Sequence, residues 1–223
     1  LGYQGDNTGE NISFKNESYC ELTGLYWAWK NLDCDQIGLC HYRRYFTNRI
    51  QRYISKNKKY QIILDEQSTI TLLSKYEVIL PKKRNYFIET IWSHYEHAHN
   101  IKDLEKTRNI IKLKYPEYIT SFDKVMRGRK LHLFNMFIMN KKKFNEYCSW
   151  LFDILFELEN EIDISYYDNY QKRVFGFIAE RLFNVWLEKN KLNCIELDVL
   201  NIEHINSFKK FILFIKRKFI TNK

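Results

Sequence analysis

Residues 131–140 have the sequence LHLFNMFIMN, and residues 141–160 continue as KKKFNEYCSWLFDILFELEN. The first segment is an almost continuous apolar run, which predicts a buried β-strand. The second segment repeats apolar residues at helical spacing, which predicts an amphipathic helix. A strand followed directly by a long helix indicates that helices and strands pack in layers.

The same alternation extends toward the carboxyl end and into the middle of the chain. Apolar periodicity predicts a long helix over 169–189 and a short strand over 194–200 (CIELDVL). Residues 101–126 are predicted to be helical, with an interruption near Pro116. The stretch 61–80 predicts a helix and then a strand that Pro81 ends.

Toward the amino end, residues 17–32 are predicted to form a helix, with Ser18 as its cap and Glu21 completing a capping box. A short strand is predicted from Gln36. Residues 1–16, which are polar and rich in Asn and Gly, and residues 82–100, which are rich in aromatic residues and His, are predicted to be loops. Strands that alternate with helices favour an α/β fold, and no domain boundary is evident before about residue 205.

Composition and charge narrow the class of protein. The chain has 223 residues, 45% of them hydrophobic, with 5 cysteines and a formal net charge of +9. These values exclude intrinsic disorder, a collagen-like repeat and a small disulfide-stapled domain. The cysteines are odd in number and lack CxxC spacing, and three of them have apolar or aromatic surroundings, which predicts that these three are buried free thiols of a reducing compartment. No signal-peptide pattern opens the chain, and no apolar run is long enough for a spanning helix.

The positive charge is concentrated in two segments. Residues 41–60 contain four Arg and three Lys without an acid, and residues 200–223 contain six basic residues against one Glu. Within 206–223, apolar residues fall on one helical sector and basic residues on the others, which is typical of a helix lying on an anionic membrane surface. A terminal helix docked on its own domain is the alternative; nucleic-acid binding would leave the apolar face without a purpose.

A cationic segment follows the predicted strand at Gln36. The residues His41, Tyr42, Arg43 and Arg44 would stand at the carboxyl edge of the sheet, where ligands of α/β proteins bind. Guanidinium groups suit phosphates because they donate two parallel hydrogen bonds. Strand alternation would place Tyr42 and Arg44 on one side and His41 and Arg43 on the other. The alternative is a solvated basic strand end.

Two further segments carry side chains that suit chemistry. His94, His97 and His99 fit no common zinc spacing, but they could hydrogen-bond a sugar or a phosphate. Asp168 could cap the helix over 169–189 or act as a general base. Arg173 and Glu180 share one face of that helix, where they could belong to a site or to a buried ion pair. Asp33-Cys34-Asp35 has the acid-x-acid spacing of a site for a divalent ion, but it precedes its strand instead of ending it, so the favoured interpretation is a turn.

Several long runs resemble one bacterial family. They are ENISFKNESYCELTGLYWAWKNL, IGLCHYRRYF, ILPKKRNYFIET with SHYEHAH, FNMFIM and YQKRVFGFIAERLFNVW. Together they are similar to the uncharacterised-domain glycosyltransferase family of capsular, exopolysaccharide and O-antigen clusters, whose members include galactofuranosyltransferases. The resemblance implies a helix-rich, GT-A-like, Rossmann-type layered α/β fold. It also implies that the family's first strand is missing, with a transferase domain over 1–205 and the amphipathic helix over 206–223.

The resemblance also implies roles for individual residues. The HYRRYF run stands where other GT-A transferases keep a metal-binding acidic motif, so Arg43 and Arg44, with His41 and Tyr42, would neutralise the donor diphosphate. A divalent cation, Mn or Mg, stays an option. The opening segment would lie near the donor; its candidates are Asp6, Asn7, Asn11, Lys15 and Asn16. Candidates on the acceptor side are Asn135, Arg173 and the three histidines His94, His97 and His99. Independently of the resemblance, a carboxylate would accept the acceptor proton if the reaction inverts, with Asp168 as the first candidate and Glu180 as the second.

The predicted function is that of a hexosyltransferase of surface-polysaccharide assembly. It would use a UDP-sugar and a lipid-linked oligosaccharide acceptor, would bind no nucleic acid, and would lie at the cytoplasmic face of the plasma membrane. The alternative is a non-catalytic module that binds polyanions or nucleotides.

Overall fold

The computed structural model describes residues 2–47 and 60–202, which form a mixed α/β fold. In this part of the chain the strands are β1 (Gln36–Leu39), β2 (Arg44–Thr47), β3 (Val78–Pro81), β4 (Arg84–Asn85), β5 (Lys130–Leu131), β6 (Phe137–Asn140) and β7 (Cys194–Asn201). The helices are α1 (Asn16–Tyr19), α2 (Leu22–Asn31), α3 (Glu66–Leu73), α4 (Ile91–Ala98), α5 (Ile101–Lys114), α6 (Ile119–Arg127), α7 (Lys141–Glu161) and α8 (Val174–Asn190).

Five strands form the main sheet in the order β1-β6-β3-β7-β2. Strands β3 and β7 are parallel, while β6 is antiparallel to both β1 and β3, and β2 is antiparallel to β7. Therefore β1, β3 and β7 end at one edge of the sheet, and β2 and β6 begin there. Strands β4 and β5 form a separate antiparallel ribbon.

The core lies on both faces of this sheet. On β3, Val78 and Leu80 belong to the larger apolar cluster, whereas Ile79 belongs to a smaller one. Helices α7 and α8 cover the larger cluster, where the ring of Phe137 lies 5.3 Å from that of Phe183. Alternating side chains on a central strand thus feed two layers, as a layered α/β fold requires.

Several elements agree with the sequence predictions. Helix α7 covers the predicted 141–160, strand β7 covers 194–200, and β3 ends at Pro81. The predicted interruption near Pro116 is a 3-10 turn over Pro116–Tyr118 between α5 and α6. The helix-rich α/β class is confirmed.

Two predicted elements are broken at residues with left-handed backbone. The helix over 17–32 is divided at Cys20, whose φ is 52°, so Ser18 lies inside α1 and caps nothing. The strand over 131–140 is also wrong: β5 and β6 are separated by a loop in which Phe134 and Asn135 have φ of 74° and 51°. Neither break involves a glycine or proline, so local sequence carried no signal for it.

Part of the stretch predicted as a loop is helical. Helix α4 lies within 82–100 and begins with a capping box, in which Thr90 accepts from the backbone of Ser93 and Ser93 accepts from the backbone of Thr90. The sequence contained this T-x-x-S signal, but serine in place of the usual Glu or Gln made it easy to miss.

The five cysteines are free, although only Cys148 is buried and Cys40 is exposed. The expectation of buried thiols therefore holds for one of them. Within 2–47 and 60–202, no helix has both the length and the apolar character needed to cross a bilayer. The proposed membrane-surface helix over 206–223 and part of the basic segment 41–60 lie outside the described residues.

Candidate active site

Two adjoining clefts occupy the sheet edge where β1 and β3 end. The inner cleft has a volume of about 340 Å³, and its lining includes Glu21, His41, Arg44, Arg84, Tyr86, His94, His99, Phe134, Asn135, Arg173, Glu180 and Arg181. The outer cleft, about 580 Å³, is lined by Asp6, Asn16, Glu17, Cys20, Glu21, Thr23, Gly24, His41, Tyr42, Asn169 and Arg173. Four residues, Cys20, Glu21, His41 and Arg173, line both clefts.

The turn between β1 and β2 brings two predicted residues into the inner cleft. The Arg44 amide donates to the carbonyl of His41 at 3.1 Å, which closes the turn. Consequently His41 and Arg44 line the same cleft, whereas Tyr42 is 68% exposed. The expected alternation along a continuous strand was wrong because residues 41–43 form a turn.

Four guanidinium groups line the inner cleft. Arg44 packs its guanidinium 4.2 Å from the centre of the Phe134 ring, and Arg173 donates from Nε to Cys20 Sγ at 3.1 Å. Arg84 is exposed at the rim, and Arg181 is only 3% exposed. Partial burial, and then the neighbouring charge of Arg43, lower the pKa of Arg44. An arginine remains charged nonetheless, so an anion would relieve this repulsion.

Glu180 and Arg181 form an ion pair at the base of the inner cleft. Glu180 accepts from the Phe134 amide through Oε1 and from Arg181 Nη1 through Oε2, at 2.5 and 3.0 Å. Arg181 Nη1 also donates to the Phe177 carbonyl at 3.1 Å. Burial raises the pKa of Glu180, more than the Arg181 charge lowers it. Both oxygens of this carboxylate are therefore engaged in hydrogen bonds to other groups of the protein.

Glu21 lies on the wall between the two clefts. Its Oε1 accepts a hydrogen bond from Asn135 Nδ2 at 2.8 Å and lies 4.0 Å from His41 Nε2. His41 Nε2 in turn is 3.0 Å from the Phe134 carbonyl oxygen. The three residues with left-handed backbone, Cys20, Phe134 and Asn135, thus lie at or next to the contact between Glu21 and Asn135. Backbone strain of this kind typically clusters at functional sites.

Two histidines of the inner cleft are uncharged at neutral pH. Burial, and for His94 the Arg181 charge next, lower the pKa of His94 and His99 to about 4. Gln171 donates to the Ala98 carbonyl, which directs its Oε1 to His99 Nδ1 at 3.1 Å. Because that oxygen only accepts, His99 carries its proton on Nδ1 and keeps Nε2 as an acceptor.

Buried polar atoms without a partner are concentrated around the inner cleft. In the described residues five such atoms occur, and three belong to cleft residues: His94 Nδ1, Asn135 Oδ1 and Arg181 Nε. A fourth, Tyr95 Oη, belongs to a ring that lies 5.1 Å from the Arg181 guanidinium. Since native proteins leave few buried polar groups unpaired, this concentration indicates a ligand-binding site.

The structure brings together seven of the predicted site residues in the inner cleft: His41, Arg44, His94, His99, Asn135, Arg173 and Glu180. Asn16 and Tyr42 line the outer cleft, together with Asp6. His94 and His99, expected on the acceptor side, share the inner cleft with Arg44.

The remaining predicted residues line neither cleft; they are Asn7, Asn11, Lys15, Arg43, His97 and Asp168. Lys15 pairs with Glu159, and His97 contacts Glu89 at 3.0 Å on the surface. Asp168 accepts from the amides of Tyr170 and Gln171, each at 2.8 Å, so its side chain organises the turn that leads into α8.

Sequence reasoning missed Glu21, Arg84 and Arg181. Glu21 was interpreted as part of a helix cap, and Arg84 belonged to a basic stretch that offered no reason to single it out. Arg181 follows Glu180 directly, and residues one apart on a helix do not normally share a face. Its side chain nevertheless folds back to Glu180 at 3.0 Å.

A larger cleft, about 720 Å³, is lined in part by residues in and next to the β4–β5 ribbon. Its lining is basic and includes Lys83, Lys124, Arg129, Lys130 and Lys191. None of the unpartnered buried polar atoms in the described part of the chain belongs to it. We therefore assign the candidate site to the smaller inner cleft and its outer neighbour.

Metal ligands are not grouped in this part of the protein. Among residues 2–47 and 60–202, no three His, Cys, Asp or Glu side chains lie close enough together to hold a metal ion.

Comparison with known proteins gives a family and a structural relative. The family model described as Domain of unknown function (DUF4422) matches residues 1–191. A solved apo structure of WbbM, a bifunctional glycosyltransferase, is similar with a TM-score of 0.82 and 35% sequence identity, over 90% of this chain and 39% of that one. The chain thus spans well under half the length of that relative. No curated protein matches the sequence.

Proposed function

The chain belongs to the DUF4422 family, and from this membership and its likeness to a bifunctional glycosyltransferase we propose that it is a glycosyltransferase. We propose a UDP-sugar as the donor, a hexose as the transferred group and a hydroxyl of a lipid-linked oligosaccharide as the acceptor. The observation that carries this proposal is the inner cleft, where four guanidinium groups meet unpartnered buried polar atoms at the carboxyl edge of the sheet.

The guanidinium groups suit the leaving diphosphate. When the bond to the sugar breaks, negative charge grows on the phosphate oxygen, and fixed cations stabilise this state more than the bound substrate. Arg44 and Arg173 are held in place by Phe134 and Cys20, so little reorganisation is needed. Neutral His94 and His99 can add hydrogen bonds without adding charge.

Further features of the proposal rest on the sequence resemblance. They are transfer of galactofuranose as one choice of hexose, a role in capsule, exopolysaccharide or O-antigen synthesis, and attachment to the cytoplasmic face of the plasma membrane through 206–223. Deleting 206–223 is expected to release the protein from vesicles that contain anionic lipid, measured by co-sedimentation. Binding that persists after the deletion would refute the membrane role of this segment.

Thermal shift with nucleotides and nucleotide-sugars tests the proposed function. A ligand present at about 100 times its dissociation constant stabilises a protein by about 2.7 kcal/mol. For a chain of this size that corresponds to a rise in Tm of roughly 5–10 °C. We expect UDP and UDP-sugars to give this rise, and other nucleotides to give less.

The rival function, a polyanion-binding module, predicts a different pattern. Such binding would respond equally to inorganic polyphosphate and would weaken steeply with salt. A uridine-specific shift that survives salt, together with UDP release in the presence of an acceptor glycan, supports the transferase. Equal shifts with every polyanion, and no UDP release, would contradict it.

A further inference from the structure

We propose that Glu21 is the general base of the transfer reaction, with the donor diphosphate in the inner cleft and the acceptor sugar in the outer cleft. This inference rests on the proposed function. It adds the assignment of the two substrates to separate clefts and a catalytic group that sequence reasoning did not select.

The two clefts differ in the chemistry that they offer. The inner cleft presents four guanidinium groups against two carboxylates, which suits a diphosphate. The outer cleft shares one of these guanidinium groups, that of Arg173, and presents three carboxylates together with amide side chains. Carboxylates and amides pair with sugar hydroxyls, and the exposed Tyr42 ring offers an apolar face to a sugar ring.

Glu21 is the carboxylate that borders both clefts in the described part of the chain. A base must reach the acceptor hydroxyl while that hydroxyl faces the anomeric carbon of the donor. A residue on the shared wall meets this requirement, because one substrate lies on each side of it. Its side chain is 22% exposed, so it is accessible yet partly shielded from water.

The surrounding structure fixes one oxygen of Glu21 and leaves the other available. Oε1 accepts from Asn135 Nδ2 at 2.8 Å, while Oε2 has no hydrogen-bond partner among the residues that the structure describes. Two segments with strained backbone, one at Cys20 and one at Phe134–Asn135, position the two partners of this contact. Positioning of this kind is expected for a catalytic group.

The other carboxylates near the clefts are less suited. Both oxygens of Glu180 are engaged, by the Phe134 amide and by Arg181. Glu17 pairs with Lys172 at 3.0 Å and borders only the outer cleft. Asp168 lines neither cleft.

The proposed step balances as follows. The acceptor hydroxyl gives its proton to Glu21 Oε2 as its oxygen forms a bond to the anomeric carbon. The bond between that carbon and the phosphate oxygen breaks, and the electron pair leaves with UDP, whose new charge Arg44 and Arg173 stabilise. Because the oxygen attacks opposite the leaving group, this route inverts the configuration at the anomeric carbon.

The test compares Glu21→Gln with Glu105→Gln. Glutamine keeps an oxygen that can accept from Asn135 but takes up no proton, so we expect turnover to fall by about 100-fold or more. The rise in Tm caused by UDP should stay unchanged. Glu105→Gln, at an exposed position on α5 that lines neither cleft, should leave turnover near that of the wild type. Glu21→Asp, which keeps the acid, should recover part of the turnover and covers the case in which the glutamine variant does not fold.

Two further measurements separate a base from a positioning residue. The acidic limb of the pH profile of kcat should disappear in Glu21→Gln, and the product of the wild type should have inverted configuration by NMR. Asn169→Ala in the outer cleft should raise the KM of the acceptor, and Arg84→Ala in the inner cleft the KM of the donor.

Failure of this inference is distinguishable from failure of the proposed function. A wild-type protein that binds UDP and transfers sugar, but loses less than about tenfold of its turnover in Glu21→Gln, overturns the assignment of the base. Retention of configuration does the same. An Asn169→Ala variant that raises the donor KM instead overturns the division of the clefts. A wild type without UDP binding and without transfer refutes the proposed function itself.

Discussion

Replacing Glu180 by alanine should destabilise the protein strongly. The change leaves the Arg181 charge, 3% exposed, without its carboxylate, and it leaves the Phe134 amide without an acceptor. Breaking a buried ion pair costs about 3–5 kcal/mol, and an unsatisfied amide about 1–3 kcal/mol. Relaxation makes the two losses less than additive, so we expect about 4–6 kcal/mol. At about 2–4 °C per kcal/mol, Tm should fall by roughly 10–20 °C.

Differential scanning calorimetry measures this effect against two controls. Glu188→Ala removes a surface pair with Lys124, whose side chain is 68% exposed, and should lower Tm by about 3 °C or less. The double variant Glu180→Leu with Arg181→Met removes both charges and should recover much of the loss. If Glu180→Ala unfolds within about 3 °C of the wild type, the pair does not hold the Phe134 loop and the reasoning fails.

Three further predictions concern the inner cleft. Arg44→Ala should lower turnover by about 100-fold with a smaller change in donor KM. Arg43→Ala, outside both clefts, should have the weaker effect. Equal losses of turnover in the two variants, measured by steady-state kinetics, would contradict the placement of Arg44 beside the diphosphate. Because burial lowers the pKa of His94 and His99 to about 4, below the ordinary 6.5, their contribution to stability is complete above about pH 6.5 and is lost as the pH falls toward 4. The drop in Tm between about pH 7 and pH 5 should therefore be smaller in a variant that carries His94→Asn and His99→Asn, and an equal drop would show that these groups do not titrate as inferred. If guanidinium groups neutralise the diphosphate, turnover in EDTA should stay within about twofold of that with Mn²⁺, and complete loss in EDTA would show that a divalent cation is required.

The elements that hydrophobic periodicity specifies were predictable. Helix α7 and strands β3 and β7 carry long or well-bounded apolar patterns, and their bounds agree with the prediction to within a few residues. The sheet edge followed from the same pattern, since His41 lies two residues beyond the end of β1 at Leu39. What periodicity could not show is the turn at 41–43, which places His41 and Arg44 in one cleft.

Tertiary packing decided the rest of the candidate site. Tyr19 is fully buried and stacks on Phe175 at 4.4 Å, a contact made at the end of α1, just before the chain turns at Cys20. In the same way, Phe134 and Asn135 interrupt an apolar run so that the Phe134 amide reaches Glu180 and the Asn135 side chain reaches Glu21. Contacts between residues far apart in sequence stabilise both turns, and local sequence propensity does not predict such contacts.

The unfavourable backbone conformations and the unpaired buried polar atoms are informative because they lie close together. Left-handed backbone at Cys20, Phe134 and Asn135 is unfavourable for residues with a side chain, and unpaired buried atoms at His94, Asn135 and Arg181 are unfavourable in any fold. In the described residues these two kinds of feature meet around the inner cleft, beside the ion pair of Glu180 and Arg181, whose carboxylate joins α8 to the Phe134 loop. Selection for stability alone would eliminate such conformations and unpaired atoms. Their concentration beside four guanidinium groups is explained if a ligand supplies the missing partners, and a diphosphate bonded to a sugar carries both the charge and the hydroxyl groups to do so.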